Sequence, residues 1–359
     1  MKILALMKRF GANKDMVLDD FGRQIRLFEP LAKKHRIDFL CPDYKKRENK
    51  NIKRNGINFY VRPYSAFRHF SFLKTLRDMI KKNKYDVIVG TSDPLLGILG
   101  YAYAKKFRII HVYDMQDDYS CYSSYRIPFI RYLDEIAVRN SDAVITVSDS
   151  LKKKIRKFRK RHTYTLQNGV ETNLSKKISK GAARKKLNLP DGKMIVYVGE
   201  ISRFKGGNIL IEAFRMIKKM IPDSHLLLSG KVSDVDINHE GIIYRQFKKR
   251  EDVALALNAA DVAVIPNIRN SFSEYCFPYK LLEYMAVGLP IVATKIGDVG
   301  ILLKKYKNSL CEPNDANDLK EKLILQLEGS RRIDYPELNE FDWRILAGKL
   351  DRILKEMKK

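Results

Sequence analysis

The segment MIVYVGEISRFKGGNILIEAFRMIKK (194–219) begins with an unbroken run of aliphatic and aromatic residues, turns through Gly199, Gly206 and Gly207, and continues with helical character. A short apolar run bounded by turn residues is a strand buried on both faces, so the segment reads as strand, glycine-rich turn, helix. The same alternation extends in both directions. Toward the N-terminus lie KILALM (2–7), IDFLC (37–41), INFYV (57–61), DVIVG (86–90), RIIHVY (108–113) and AVITV (143–147). Toward the C-terminus lie HLLLS (225–229), GIIY (241–244), VAVI (262–265) and IVAT (291–294). Between them fall helical spacings such as Phe21, Ile25, Phe28, Leu31 and Ala32. Apolar strands alternating with amphipathic helices predict an α/β chain whose parallel sheets are covered on both faces.

The 359 residues exceed one ordinary core, and the polar stretch ETNLSKKISKGAARKKLNLPDG (171–192) separates two such series. Two doubly wound, Rossmann-like domains facing across a cleft are therefore expected, residues 1–168 and 169–342, with an amphipathic last helix read over 341–359, of which 343–359 would cross back to the first domain. In such sheets ligands sit beyond the carboxyl ends of the strands, where loops and helix N-termini meet. No G-x-G-x-x-G or Walker A sequence is present, which weakens dehydrogenase and P-loop NTPase readings.

Hydrophobic residues make up 45% of the chain and charged residues 31%, a globular composition. Cys41, Cys121, Cys276 and Cys311 lie far apart with no C-x-x-C pair, which argues against a disulfide framework or zinc site and for a reducing compartment. The apolar run at 3–7 is too short for a signal-peptide core. The longest apolar stretch, PLLGILGYAYA (94–104), falls far short of the ~20 residues of a spanning helix. A cytoplasmic location is expected, with peripheral association at the inner face of the cell membrane. The net charge is +27 and uneven: residues 1–168 hold 36 Lys and Arg against 17 Asp and Glu. That excess suits an anionic partner, and it equally suits a chain that carries lysine on its solvated faces.

Two segments carry chemistry. In GEISRFKGG (199–207), backbone N–H groups and the positive end of the following helix would face an anion, with Arg203 and Lys205 adding full charge. A diphosphate suits such a turn, each charge-assisted hydrogen bond being worth roughly 1.5–3 kcal/mol; a basic turn is also ordinary solvated surface. In SFSEYCFPYKLLEYMAVGLPIVAT (271–294), Pro278 fits the first turn of a helix that Gly288 and Pro290 end. Glu283 lies inside that helix among apolar residues. A buried carboxylate needs donors, and either ribose hydroxyls or Lys280 one turn away would serve.

Five segments, in this order, resemble the retaining glycosyltransferases of family 4, which have the GT-B fold: SDAVITVSDSLKK (141–153), LQNGVETN (166–173), VGEISRFKGGNILIEAF (198–214), AADVAVIPN (259–267) and FPYKLLEYMAVGLPIVATKIGDVG (277–300). The likeness covers nearly the whole chain. It implies transfer of a sugar from a UDP-, GDP- or ADP-sugar to a glycan or lipid-linked acceptor, in cell-surface polysaccharide or glycoconjugate synthesis, with no metal and no further cofactor. It implies that Arg203, Lys205 and Gly206 hold the diphosphate and that Glu283 binds the ribose, with Lys280 beside it. The backbone at Tyr275, Cys276 and Phe277 would meet the donor sugar and phosphates, and Arg245, Gln246 and Phe247 would seat the nucleobase. The acceptor would lie against the first domain, near Gln116 and Asp117 of YDMQDD (113–118), and the final helix would cross back to that domain. Asp114 and Asp117 could chelate a metal but fit caps or acceptor contacts better.

The departures from the family pattern are specific. Tyr275 stands where the family has the first of two glutamates, with Glu274 beside it. Glu200 replaces an arginine, Gln116 a frequent histidine and Ile301 a frequent glutamate, and the paired-glycine turn reads Gly297-Asp298. A weakened homologue or a sugar-nucleotide epimerase on the same fold are the alternatives these changes admit.

Two further segments suit an anionic bilayer. INFYVRPYSAFRHFSFLK (57–74) interleaves Tyr60, Tyr64, Phe67, Phe70 and Phe72 with Arg62, Arg68 and Lys74. KKKIRKFRKR (152–161), with Lys152, Lys153, Lys154, Arg156 and Lys157 among its eight cations, reads as a helix anchored by Ile155 and Phe158. The aromatics also fit the first domain's core. A nucleic-acid-binding protein is the rival that the charge permits, but it leaves the five family segments unexplained and no such motif appears.

Overall fold

The computed structural model describes residues 1–11, 14–19, 22–171, 178–329 and 331–358. Phe21, and residues 172–177 of the polar break, lie outside the described residues. The chain divides into two compact units, Met1–Gly169 with Trp343–Lys359, and Val170–Asp342.

The sheet of the first unit has, in spatial order, Thr163–Thr165, Ala143–Thr146, Ile110–Met115, Val87–Thr91, Lys2–Leu6, Arg36–Asp43, Ile57–Pro63 and Lys50–Arg54. Every neighbouring pair is parallel except the last. The sheet of the second unit runs Ile242–Tyr244, Ser224–Ser229, Lys193–Val198, Val262–Ile265, Ile291–Thr294 and Leu310–Cys311, all parallel. In each sheet the first strand of the unit sits centrally and the order reverses beside it. The reversal falls between Lys2–Leu6 and Val87–Thr91 in one sheet, and between Lys193–Val198 and Val262–Ile265 in the other. Such switch points open a crevice at the strands' carboxyl ends.

All the apolar runs form strands, and the central ones are buried on both faces, as the four residues of Val262–Ile265 and of Ile291–Thr294 are, whereas Ile57–Pro63 alternates and Ile242–Tyr244 at the sheet edge is partly exposed. Phe214 and Ile217 of the helix Gly207–Met220 pack with Leu226, Leu228 and Val264 into the second unit's core. Lys50–Arg54 escapes a hydrophobic reading because it is an exposed edge strand, registered only by its antiparallel partner.

The final helix, Trp343–Lys358, belongs to the first unit. His35 Nε2 meets Asp351 Oδ1 at 2.6 Å, Lys358 pairs with Asp86 at 2.9 Å, and the Trp343 ring fills the space a Cβ on Gly169 would need.

The run 152–161 differs from its expected form. The helix is Asp149–Arg156, capped by Ser148, whose Oγ accepts from the Leu151 N–H at 3.0 Å. It ends before Phe158, which lies instead against the Arg139 guanidinium. Arg159 is buried, and its guanidinium donates to the carbonyls of Ser141 (2.8 Å), His162 (2.9 Å), Arg139 (3.1 Å), Asp142 (3.3 Å) and Val138. Lys154 pairs with Asp118 at 2.7 Å. The pad of cations is therefore smaller than its sequence suggests, because two of its members hold the fold together.

His111, in the strand Ile110–Met115, is 2% exposed, with Nδ1 2.8 Å from Ser141 Oγ and Nε2 without a partner among the described residues. Burial pushes its imidazole down to about 3, with Arg159 adding to the effect. The unfolded chain then takes up a proton below about 6.5 that the folded chain refuses, so stability falls with acidity between those values by about 1.4 kcal/mol per pH unit. Chemical denaturation from pH 7 to pH 4.5 should show this slope, and His111→Gln should flatten it; an equal slope in the variant would assign the acid sensitivity elsewhere.

Candidate active site

In the second unit the strand Lys193–Val198 ends at Gly199 (φ 142°), and the turn Arg203–Lys205 closes on Gly206 (φ 78°). A Cβ on Gly206 would stand 1.8 Å from the carbonyl oxygen of Pro266, which follows Val262–Ile265. Only glycine lets the turn lie on the end of that neighbouring strand, so the turn sits at the switch point, and the N–H groups that start Gly207–Met220 open there. Half-buried Lys205 has its Nζ 3.1 Å from the centre of the Phe272 ring, a cation–π contact. Phe272 belongs to the helix Ser271–Tyr275, so the two segments that carry the expected donor chemistry meet across the switch.

Lys280 reaches the same place from the helix Tyr279–Ala286. Its half-buried ammonium lies 4.0 Å from the centre of the Tyr197 ring and 2.6 Å from where a Cβ on Gly199 would be. Among the described residues it makes no hydrogen bond or ion pair, so the expected alternative of a Lys280–Glu283 bridge is not formed. Desolvation lowers it to about 8, against the opposing effects of Cys276, Glu283 and Glu200. Glu283 is half-buried on the same helix.

Several expected site residues are occupied otherwise. Exposed Arg203 donates its backbone N–H to Asp234 Oδ1 (2.8 Å) and its Nε–H to the Asp234 carbonyl (3.2 Å). There it lines a cavity of about 340 Å³ with Asn208, Glu212 and Arg215, while Lys205 lies over Phe272. The Arg245 guanidinium donates to the carbonyls of Leu187 and Asn188, so it caps the end of Lys180–Lys186, and Gln246 and Phe247 remain beside it without that cation. Cys276 and Phe277 bury their side chains, Phe277 against Phe341, and offer only backbone; Tyr275 is half-buried. Glu274, beside the position of the missing glutamate, pairs with Arg269 at 2.9 Å.

Two polar residues at this crevice escaped the sequence reading. Asn267, just past Pro266, is 7% exposed, and among the described residues neither its Oδ1 nor the Oγ of buried Ser202 has a hydrogen-bond partner. A buried acceptor without a donor is costly, and a ligand hydroxyl would satisfy it. The signal was a polar residue closing the apolar run AADVAVIPN (259–267). Cavity size does not mark the site: a cavity of about 830 Å³, lined by Lys180, Asp261, Pro290 and Arg332, lies at the opposite, amino-terminal edge of the same sheet.

In the first unit, Asp114 ends in a buried network. Arg23 Nη2 donates to it at 2.7 Å, Thr91 Oγ1 at 3.0 Å and Gln116 Nε2 at 3.1 Å. Gln116 also donates to Thr91 Oγ1 (2.7 Å) and accepts from Gln24 Nε2 (2.8 Å). Its carboxamide thus ties the strand ends together within this network. Asp117 accepts from the Tyr122 hydroxyl at 2.6 Å. Among the described residues no group of three or more His, Cys, Asp or Glu side chains is placed to hold a metal.

The surface residues also divide. Arg62 donates to the carbonyls of Val61 and Lys50 and to Asn51 Oδ1, stitching the edge hairpin rather than projecting outward. Phe72 is core, with Tyr60 and Tyr64 packed on it, whereas Phe67 and Phe70 are 99% and 81% exposed beside exposed Arg68. Lys153, Arg156 and Lys157 are exposed and Lys152 half-buried.

Comparison with known proteins fits this geometry. The model of the glycosyl transferases group 1 matches residues 179–339, and that of glycosyltransferase family 4 matches residues 25–174. An uncharacterized glycosyltransferase of Methanocaldococcus jannaschii is 26% identical over 291 residues, 78% of this chain and 76% of its own. A putative teichuronic acid biosynthesis glycosyltransferase of Bacillus subtilis is 29% identical over 188 residues, 52% of this chain and 46% of its own. Among solved structures, sucrose-phosphate synthase from Thermosynechococcus elongatus superimposes with a TM-score of 0.77 at 18% identity, covering 99% of this chain and 98% of that one. Anabaena HepE in complex with UDP superimposes with a TM-score of 0.77 at 17% identity, covering 99% and 100%. With two Rossmann-like units on the GT-B fold and both family models together matching most of its length, the chain belongs to the family 4 type of group 1 glycosyltransferases and is a sugar-transferring enzyme.

Proposed function

We propose that the enzyme moves a sugar from a nucleotide-sugar donor, bound at the switch point of the second unit, to a glycan or lipid-linked acceptor, with retention of anomeric configuration and without a divalent metal. The observation that carries this is Lys205 and the opening of Gly207–Met220 meeting at the Gly206 turn, a site for a diphosphate. HepE, a relative in fold, has been solved with UDP and with UDP-glucose, which supports a uridine donor as the first to test. As the anomeric C–O bond breaks, positive charge builds on the sugar and negative charge on the departing diphosphate; Lys205 and the backbone N–H groups meet the latter where it develops. A leaving-group oxygen on the same face takes the acceptor's proton, the acceptor oxygen bonds to the anomeric carbon, and configuration is kept.

Lys205→Ala should weaken nucleoside diphosphate binding by roughly ten- to a hundred-fold, the loss of one charged contact, without lowering the melting temperature. Calorimetry in EDTA is the measurement, since binding should be the same as with magnesium. Unchanged affinity would remove Lys205 from the site. Glu283→Gln should weaken binding of the nucleotide while leaving binding of inorganic pyrophosphate alone, as expected of a ribose contact; equal effects on both would instead place Glu283 at the phosphates.

Membrane association is the second element of the proposal. Helices His69–Asn83, Pro94–Phe107 and Ile130–Asn140 pack side by side, and each follows a parallel strand, so their N-termini share the sheet's carboxyl edge. At the outer two, Phe67 and Phe70, then Ile127, Phe129, Tyr132 and Leu133, stand 40–99% exposed, among exposed Arg68, Arg126 and Arg131. Phe129 is held out in a left-handed conformation (φ 64°), and the Tyr125 hydroxyl donates to buried Asp134, latching this loop to its helix. Exposed Asp78 and Glu135 are paired with Arg77 and Arg139, which leaves the edge cationic. Among the described residues no helix is long and apolar enough to cross a membrane. The protein should sediment with anionic vesicles at low salt and much less with neutral ones. Phe129→Ser with Tyr132→Ser should cut that partitioning at least tenfold, each aromatic contributing about 1.5–3 kcal/mol when buried. Equal pelleting with both vesicle types would refute the surface.

A further inference from the structure

The strand end that leads into the donor turn carries a carboxylate, Glu200, directly after Gly199. A carboxylate beside a diphosphate repels it, so a diphosphate site here needs a cation that the turn's first position does not supply. Lys280 stands one residue away, having crossed the switch point from Tyr279–Ala286 to rest its ammonium against Gly199. Gly199 gives it room, since any Cβ there would collide with Nζ at 2.6 Å. An ammonium half-removed from water is normally paired or hydrogen-bonded. Among the described residues this one has the face of Tyr197, with Glu200 and Glu283 near enough to act on its charge but not bound to it. It is a cation held ready at a crevice, making no hydrogen bond among the described residues.

We propose that Lys280 is the cation that binds the donor's diphosphate at the strand end, and that Glu200 and Lys280 are an exchanged pair: the turn carries the acid, and the helix across the switch supplies the base. The assignment rests on the second unit being the donor site. It explains why an acidic residue is tolerated at 200, because Lys280 offsets its charge and supplies the cation that a diphosphate needs there. It also gives the FPYK segment (277–280) a function beyond starting a helix: Pro278 fixes the helix start, and Lys280 then falls in the first turn, where its stem reaches back along the strand end.

Lys280 is also a group whose charge changes near neutral pH, since desolvation holds it near 8. The charged and titratable groups facing it are Glu200 from the turn, Glu283 and Cys276 from its own helix and the segment before it, and Tyr197 from the strand, whose hydroxyl burial raises far out of range. A bound diphosphate favours the ammonium, so binding takes up a proton above about 8 and affinity falls as pH rises.

The test is calorimetric titration with UDP, GDP and ADP of the full chain and five variants, each checked for an unchanged melting curve. Lys280→Met should bind the preferred nucleotide ten- to a hundred-fold more weakly, Lys280→Arg within about threefold of the parent, and Lys280→Met/Glu200→Arg should regain most of the loss. Between pH 8 and 9.5 the parent's affinity should fall by up to about tenfold per unit, and Lys280→Arg, charged throughout, should not follow it. Lys205→Ala and Glu200→Arg alone serve as references. If Lys205→Ala weakens binding and Lys280→Met does not, the exchange is wrong while the donor site stands. If neither weakens it, the donor site itself is misplaced. A loss in Lys280→Met that neither arginine restores, or a pH dependence retained in Lys280→Arg, would make Lys280 a structural residue and overturn the assignment.

Discussion

The contact between Gly206 and the Pro266 carbonyl sets the geometry of the second unit. With no side chain at 206, the turn after the central strand settles on the end of the strand across the reversal, where a Cβ would come within 1.8 Å of a carbonyl oxygen. Everything placed at the crevice follows from that approach. Helix Gly207–Met220 begins there, Lys205 is carried over Phe272, and Asn267 is buried with its carboxamide oxygen unsatisfied among the described residues. A larger residue at 206 would lift the turn, and the lysine would lose the ring beneath it. The doubly wound topology supplies the crevice, and glycine makes it narrow enough for backbone N–H groups to serve as ligands.

A second theme is how a chain of net charge +27 disposes of its cations. Arg23, Arg159 and Arg245 spend their guanidiniums on carbonyls and carboxylates of the fold, since a planar five-donor group can satisfy several backbone acceptors at once. Lys154 and Lys358 are drawn into ion pairs with Asp118 and Asp86. Lysines cannot fork in this way, and Lys205 and Lys280 rest on aromatic faces at the switch point, where an anion would be a better partner than a ring. Basic composition alone therefore overstates the surface available to an anionic membrane, and exposed aromatics at helix N-termini are the sharper indicator.

The departures from the family pattern also resolve into physical types. Gln116 is absorbed into the Arg23–Asp114–Thr91 network, so its amide positions strand ends. Glu274 is captured by Arg269 and leaves the place of the first glutamate to Tyr275. Glu200 is different in kind, because it puts a carboxylate beside the turn proposed to hold the diphosphate, and that charge demands compensation from somewhere close in space.

Much was legible in the residues alone. Unbroken apolar runs specify strands of parallel sheets because burial on both faces removes the need for alternation, and every run read this way became one. Glycines with positive φ mark the turn at 199–206, and the proline and glycine around 278 and 288 mark the ends of a helix. Edge strands such as Lys50–Arg54 were not legible, because an exposed strand is held by its partner's backbone and leaves no hydrophobic trace. Nor could spacing separate Arg203 from Lys205, Phe67 from Phe72, or Arg159 from the cations around it. Each pair is similar in chemistry and close in sequence, and what divides its members is a neighbour far along the chain: Asp234 and Phe272, the core against Leu96 and Ala104, the carbonyls of Val138 and Ser141. Local sequence determined the strands, the helices and the turns that join them, because those depend on periodicity and on backbone freedom. Tertiary structure alone decided which polar side chains remain available to a ligand, because that depends on which of them packing has already satisfied.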